Sequence, residues 1–201
     1  MRCTYCMPKE VFGHDYQFLE RDQLLSYEEI TRLVRIFVLL GVGKVRVTGG
    51  EPLLRRHLPR LIEMLTDIRG LRDLTLTTNG VLLPQQAQSL VDAGLHRVTV
   101  SLDSLGEKVF QAMNDVGITV DRVLEGIKAA AKAGLKPVKI NAVVKKGVND
   151  HTFVDLARYF HRTGHIVRFI EYMDVGTNNG WRLDDVVPAR EMIGRINAEL
   201  P

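Results

Sequence analysis

Five short runs rich in β-branched residues punctuate this chain, at 44–48, 73–77, 97–101, 138–144 and 166–171, and each is followed by turn residues and then a helical pattern. Alternation of this kind dictates parallel strands joined by right-handed crossovers. It leaves two α/β architectures, a doubly wound sheet and a full or partial β/α barrel. In both, functional groups collect at the C-terminal ends of the strands.

Alternate side chains of a strand point to opposite faces, and here the polar residues keep one parity. Lys44, Arg46 and Thr48 oppose Val45 and Val47; Thr75 and Thr77 oppose Leu74 and Leu76. Arg97, Thr99, Ser101 and Asp103 oppose Val98, Val100 and Leu102, and Lys139 and Asn141 oppose Val138 and Ile140. In a barrel the apolar set packs under the helices and the polar set lines the lumen, whereas an ordinary packed barrel fills its interior with Val, Ile and Leu. Lys44, Arg46, Lys139 and Arg168 then converge, and buried cations without partners are costly. A polyphosphate or polycarboxylate would satisfy them. The alternative is internal pairing with Asp103, Glu51 or Glu171.

The helices carry their own punctuation. Ser26 with Glu29 reads as a capping box ahead of an apolar stripe of Ile30, Leu33, Val34 and Phe37, and Gly41 stops that helix. Pro84 opens a helix that Gly94 ends; Asp121 and Asp150 are expected to cap the next two, which Gly134 and Gly164 close. No linker or low-complexity run interrupts the βα repeat, so residues 1–201 read as one domain. A net charge of +3 is too small to point to nucleic acid or a membrane surface. The longest apolar stretch, near 34–42, falls far short of the ~20 residues that cross a bilayer, and the opening residues do not resemble a secretory signal. A cytoplasmic location is expected.

The only two cysteines, Cys3 and Cys6, sit within one Cys-Thr-Tyr-Cys segment, which rules against a disulfide framework. Taken alone the pair suits a redox couple, half a zinc site or part of an iron–sulphur site. A thioredoxin-like couple would follow a strand, and none precedes Cys3; zinc would need two further ligands, and the histidines show no paired spacing. At the end of the first strand stands Thr48-Gly49-Gly50-Glu51-Pro52. Its adjacent glycines admit close approach of a ligand to the backbone, and its carboxylate can accept from an amine.

Together with Leu76-Thr77-Thr78-Asn79-Gly80, Val100-Ser101-Leu102-Asp103-Ser104 and the run from Arg168 through Glu171 to Gly176, these segments resemble the radical S-adenosylmethionine superfamily, and within it the GTP 3',8-cyclase family of molybdenum cofactor (molybdopterin) biosynthesis. The resemblance implies a partial (βα)6 barrel in which cysteines spaced C-x3-C-x2-C hold a 4Fe-4S cluster that chelates S-adenosylmethionine. Cys3 and Cys6 match the second and third cysteines. Tyr5, Gly50, Ser101 and Met173 would line the S-adenosylmethionine site. Lys44, Arg46, Thr77, Lys139 and Arg168 would contact GTP, with the cations on its triphosphate. The implied partners are GTP, a reducing electron donor and a downstream cyclic pyranopterin monophosphate synthase that takes the product, and a homodimer is open. The family pattern also has a strand and cysteine ahead of Cys3 and a C-terminal segment holding a second cluster. Neither lies in the sequence given, so the chain as written is expected to be catalytically incomplete. Another radical S-adenosylmethionine enzyme, or a non-catalytic nucleotide-binding fragment, are the alternatives.

Overall fold

The computed structural model describes residues 3–13, 15–175 and 179–200. In chain order they form α1 (Tyr27–Leu39), β1 (Lys44–Val47), α2 (Leu58–Thr66), β2 (Asp73–Thr78), α3 (Leu83–Asp92), β3 (Arg97–Ser101), α4 (Glu107–Asn114), α5 (Val120–Ala133), β4 (Lys139–Val144), α6 (Phe153–Phe160), β5 (Ile166–Glu171) and α7 (Ala189–Glu199). Each strand lies within one residue of its expected bounds. Strand order follows chain order, β1-β2-β3-β4-β5. The ladders β1/β2, β2/β3 within the first half and β4/β5 within the second are what parallel pairing with helical crossovers requires, the β1/β2, β2/β3 and β4/β5 registers all being parallel. A doubly wound sheet would reverse its order at a switch point. The sequential order is the barrel solution, here an α/β partial barrel.

Internal packing divides the chain into two compact units. One comprises Gln17–Val100 with Glu125–Val138, and the other Met1–Tyr16, Ser101–Leu124 and Lys139–Pro201. In the first, the apolar parity of β2 and β3 is fully buried at Leu74, Leu76, Val98 and Val100, under Leu61, Ile62 and Leu65 of α2 and Leu83 and Leu90 of α3. The polar parity of β1 stays outside: Lys44 and Arg46 are exposed, Val45 and Val47 half-buried. The capping box forms as expected, Glu29 N donating to Ser26 Oγ at 3.1 Å and Ser26 N to Glu29 Oε2 at 2.7 Å. These bonds hold the Glu29 carboxyl below its usual range. The apolar stripe of α1 differs from expectation. Thr31 and Val34 form the buried seam, while Leu33 and Phe37 are over 40% exposed. The buried face is thus shifted from the hydrophobic stripe toward the side that carries Thr31.

A close backbone contact fixes α5 in this unit. A Cβ added at Gly126 would lie 2.1 Å from the carbonyl oxygen of Gly80, in the turn after β2. Only a residue without a side chain fits there.

In the second unit β4 buries Ile140, Ala142 and Val144, and a cluster of Val144, Phe153, Val154, Val187 and Met192 packs with Phe169 and Ile196. Here the two expected caps are corrected. Asp121 lies inside the first turn of α5, whose Val120 N donates instead to Glu107 Oε2 at 3.0 Å. Asp150 accepts from Gly147 N at 2.9 Å, and α6 begins after Thr152. At 150 the carboxylate is taken by an amide of the preceding turn, as Asp side chains readily are, and at 121 the end amide of the helix is taken by Glu107.

Candidate functional site

In the first unit, the turn after β1 is shaped by Glu51. Its Oε1 accepts from Leu53 N at 3.0 Å and from the Thr78 hydroxyl at 2.7 Å, and its Oε2 from Asn79 N at 2.7 Å. Both oxygens thus tie this turn to the end of β2, Oε1 receiving two donors and Oε2 one. Gly50 behaves differently. Its φ is unexceptional, and a Cβ built on it would meet nothing within 4 Å. The chain's own packing does not ask for glycine at 50, and the space beside its backbone is open to a ligand.

The polar parity of the same unit brings Lys44, Arg46 and Thr77 to one face. Register places Arg46 opposite Thr75, two residues before Thr77. Lys44 Nζ lies 3.4 Å from Asp73 Oδ2, a carboxylate shared with Arg97, whose Nε donates to Oδ1 at 3.0 Å. Those bonds hold the Asp73 carboxyl below its usual range, the Arg97 bond contributing most. Arg46 makes no hydrogen bond or ion pair among the described residues. The Thr77 hydroxyl is buried without a hydrogen-bond partner among the described residues. A buried, unpaired hydroxyl costs about 1–3 kcal/mol, so its presence marks a place where a further group belongs.

In the second unit Cys3 and Cys6 occupy one turn, closed by Cys6 N and Met7 N donating to Cys3 O at 2.9 and 2.8 Å. Thr4 N, donating to Met113 O at 3.0 Å, docks the turn on the end of α4. Both thiols are free; Cys3 is half-buried and Cys6 exposed. Between them, Tyr5 donates its hydroxyl to Asp103 Oδ2 at 2.9 Å, and Asp103 Oδ1 accepts from Val143 N at 2.9 Å. Burial, opposed by these two bonds, pushes the Asp103 carboxyl up to about 6. Burial first, and the Asp103 charge second, push the Cys3 thiol up to about 11 and the Tyr5 phenol well above its usual value. Ser101 is half-buried at the end of β3, and Met173 is 59% exposed after β5. On the strand faces Lys139 is half-buried, and Arg168 Nε donates to Asn141 Oδ1 across the β4–β5 pair at 3.0 Å. The three carboxylates have other partners: Asp103 accepts from Tyr5 and Val143 N, Glu51 from Leu53 N, Thr78 and Asn79 N, and Glu171 from Ala189 N.

Residues 1–160 match the family model described as the Radical SAM superfamily. This chain belongs to that superfamily. Among curated relatives of this radical SAM chain, a GTP 3',8-cyclase of Acidothermus cellulolyticus is 56% identical over 201 residues, covering 100% of this chain and 56% of the relative. One from Staphylococcus carnosus is 50% identical over 198 residues, 98% of this chain and 58% of the relative. One from Xanthomonas campestris pv. campestris is 50% identical over 200 residues, 100% of this chain and 59% of the relative. The chain thus spans little more than half the length of the curated relatives it matches. Among solved structures, methylornithine synthase (PylB) superposes with a TM-score of 0.72 at 17% identity, over 97% of this chain and 57% of that one. Streptococcus suis SuiB bound to S-adenosylmethionine gives 0.69 at 20% identity, over 98% and 40%. Both likenesses are of fold.

For the cluster that the superfamily implies, the donor set fits in part: two unbridged thiols on one turn, which no third His, Cys, Asp or Glu joins among the described residues. The radical SAM motifs point to the thiol turn and the glycine turn. Three supporting groups escaped the sequence reading: the Glu51 clamp on β2, the Asp103 bond to Tyr5, and Asn179, whose side-chain amide donates to the Tyr5 and Met173 carbonyls. Polar parity placed Asp103 on the polar face, but only as an internal partner for the cations, and no local signal singles out Asn179.

Proposed function

We propose that this radical SAM chain is the barrel part of a GTP 3',8-cyclase, converting GTP to (8S)-3',8-cyclo-7,8-dihydroguanosine 5'-triphosphate at the first step of molybdenum cofactor biosynthesis. Identities of 50–56% to relatives of that name over nearly the whole chain support the reaction. The structural observation that carries the substrate is the buried, unpaired Thr77 hydroxyl on the same parity as the uncommitted Arg46.

Cys3 and Cys6 would hold two positions of the 4Fe-4S cluster, and Tyr5, Gly50, Ser101 and Met173 would contact S-adenosylmethionine, Gly50 through the open space beside its backbone. When bound, cluster and S-adenosylmethionine together supply a one-electron bond cleavage that yields a carbon radical able to take hydrogen from C3' of the GTP ribose. The chain's own part is positioning. Arg46 offers a planar fork of donors to phosphate oxygens, Lys44 a point charge, and Thr77 a hydroxyl that can donate or accept. Lys139 and Arg168 carry the same assignment in the second unit. Fixing the triphosphate fixes the ribose, which keeps C3' in reach of hydrogen removal and C8 in reach of the carbon radical that results. The electron donor, the hand-over to cyclic pyranopterin monophosphate synthase and a cytoplasmic setting belong to this proposal; among the described residues no helix is long and apolar enough to cross a membrane.

The test uses the full-length protein. Arg46→Ala is expected to weaken GTP binding about tenfold or more, and Thr77→Val a few-fold, with S-adenosylmethionine binding unchanged. GTP affinity unchanged in both variants, measured by calorimetry, would overturn the assignment.

A further inference from the structure

The segment after β5 contains an asparagine whose bonding is unusually complete. Asn179 Nδ2 lies 3.2 Å from the carbonyl oxygen of Tyr5 and 3.2 Å from that of Met173. Its Oδ1 accepts from Trp181 N at 3.2 Å, and its own carbonyl accepts from the Tyr172 hydroxyl at 2.9 Å. Trp181 Nε1 in turn donates to Tyr172 O at 3.1 Å. Tyr172 is 2% exposed, with Lys145 Nζ 4.5 Å above its ring, so the asparagine is anchored to a buried residue.

A primary amide has two N–H groups, and here each has its own carbonyl. One carbonyl belongs to the residue between the two thiols. The other belongs to the residue immediately after the buried tyrosine. Asp could accept from Trp181 N but could donate to neither carbonyl, and a hydroxyl could reach only one. The bonding therefore selects Asn by chemistry, at a residue that itself lies in no helix or strand.

We propose that Asn179 is a positioning residue for the thiol turn, its side-chain amide holding Tyr5 and Met173 at a fixed separation. The turn is then gripped from two sides: Asp103 takes the Tyr5 hydroxyl, and Asn179 takes the Tyr5 carbonyl. Because Tyr5 and Met173 both belong to the proposed S-adenosylmethionine contacts, the strap would set their spacing before any ligand arrives; that consequence rests on the functional reading given above, whereas the strap itself does not.

The decisive variant is Asn179→Asp, which keeps shape and the acceptor for Trp181 N while removing both donors; Asn179→Ala removes the side chain altogether. Alkylation of this chain by iodoacetamide, followed thiol by thiol by mass spectrometry, reads the turn directly. In both variants the half-buried Cys3 is expected to react about fivefold or more faster than in the parent, while the exposed Cys6 changes less than twofold and the far-UV circular dichroism is unaltered. A Cys3 rate in Asn179→Asp within twofold of the parent overturns the strap, and so does loss of the far-UV signal, since Asn179 would then be a folding residue. In the full-length protein carrying its cluster, Asn179→Asp is expected to retain its iron but lose most of the change that S-adenosylmethionine induces in the electron paramagnetic resonance spectrum. An unchanged response there overturns the link to the cofactor and leaves the cyclase reading standing.

Discussion

Glu51 and Asp103 occupy corresponding places in the two units, each a carboxylate just beyond the end of a strand, yet they are used in opposite ways. Glu51 follows β1 and receives three donors, two of them backbone amides, all from its own turn and the end of β2. Asp103 follows β3, is 3% exposed, and receives one backbone amide and one phenol from a residue 98 positions away. The first carboxylate shapes a turn. The second ties the thiol turn to the strands, and its burial pushes its carboxyl up to about 6. The contrast teaches that partner type decides what each site tolerates: a backbone N–H can only donate, whereas a phenol can turn round and accept.

Removing Asp103 altogether should have the largest effect. Asp103→Ala leaves Val143 N and the Tyr5 hydroxyl buried without an acceptor, which costs about 3 kcal/mol in urea unfolding; a loss under 1 kcal/mol would mean that the two bonds do not persist in solution. The amide substitutions sharpen the comparison. In Glu51→Gln one backbone N–H must face an NH2 group whichever way the amide is turned, at a cost of about 2 kcal/mol. In Asp103→Asn the amide oxygen can keep Val143 N while its NH2 donates to the phenol, so about 1 kcal/mol or less is expected. Equal costs for the two would break the distinction. The smallest effect belongs to Asp73, a partly exposed carboxylate at the start of β2. Asp73→Asn should cost about 0.5–1 kcal/mol, less in high salt. Because Arg97 and Lys44 hold its folded pKa below the ordinary 3.8, its contribution is present above that value and is lost as pH falls through the lower one. Parent and variant should therefore converge in stability as pH falls below about 4.

The strands were legible because their signal is local: a period of two survives in runs such as Lys44–Val47 and Lys139–Val144 whatever surrounds them. The same parity separated the exposed Lys44 and Arg46 from the buried Leu74 and Leu76, although Thr75 and Thr99 of the polar parity are buried too. Helix starts were less legible, since Asp150 binds an amide of the preceding turn and Asp121 falls inside a first turn whose Val120 amide goes to the distant Glu107. The apolar stripe of α1 misled because periodicity reports that a helix is amphipathic, not which of two adjoining faces its neighbours cover. At the site, the thiol turn and the glycine turn announced themselves as short motifs. The groups that hold them did not, because the Tyr5–Asp103 and Tyr5–Asn179 bonds join residues 98 and 174 positions apart. Only folding brings such pairs together, and a single sequence carries no trace of the pairing.

The contact of Gly126 with the Gly80 carbonyl has a consequence at the level of the gene. Glycine codons all begin GG, and every missense change one nucleotide away encodes a residue that carries a Cβ. At most surface positions such steps are harmless, but at 126 each would drive a carbon to 2.1 Å from a backbone oxygen unless α5 moved. Position 126 therefore has no mutational neighbour that leaves the backbone as it is, and in a saturation library it should be among the most depleted sites of the chain.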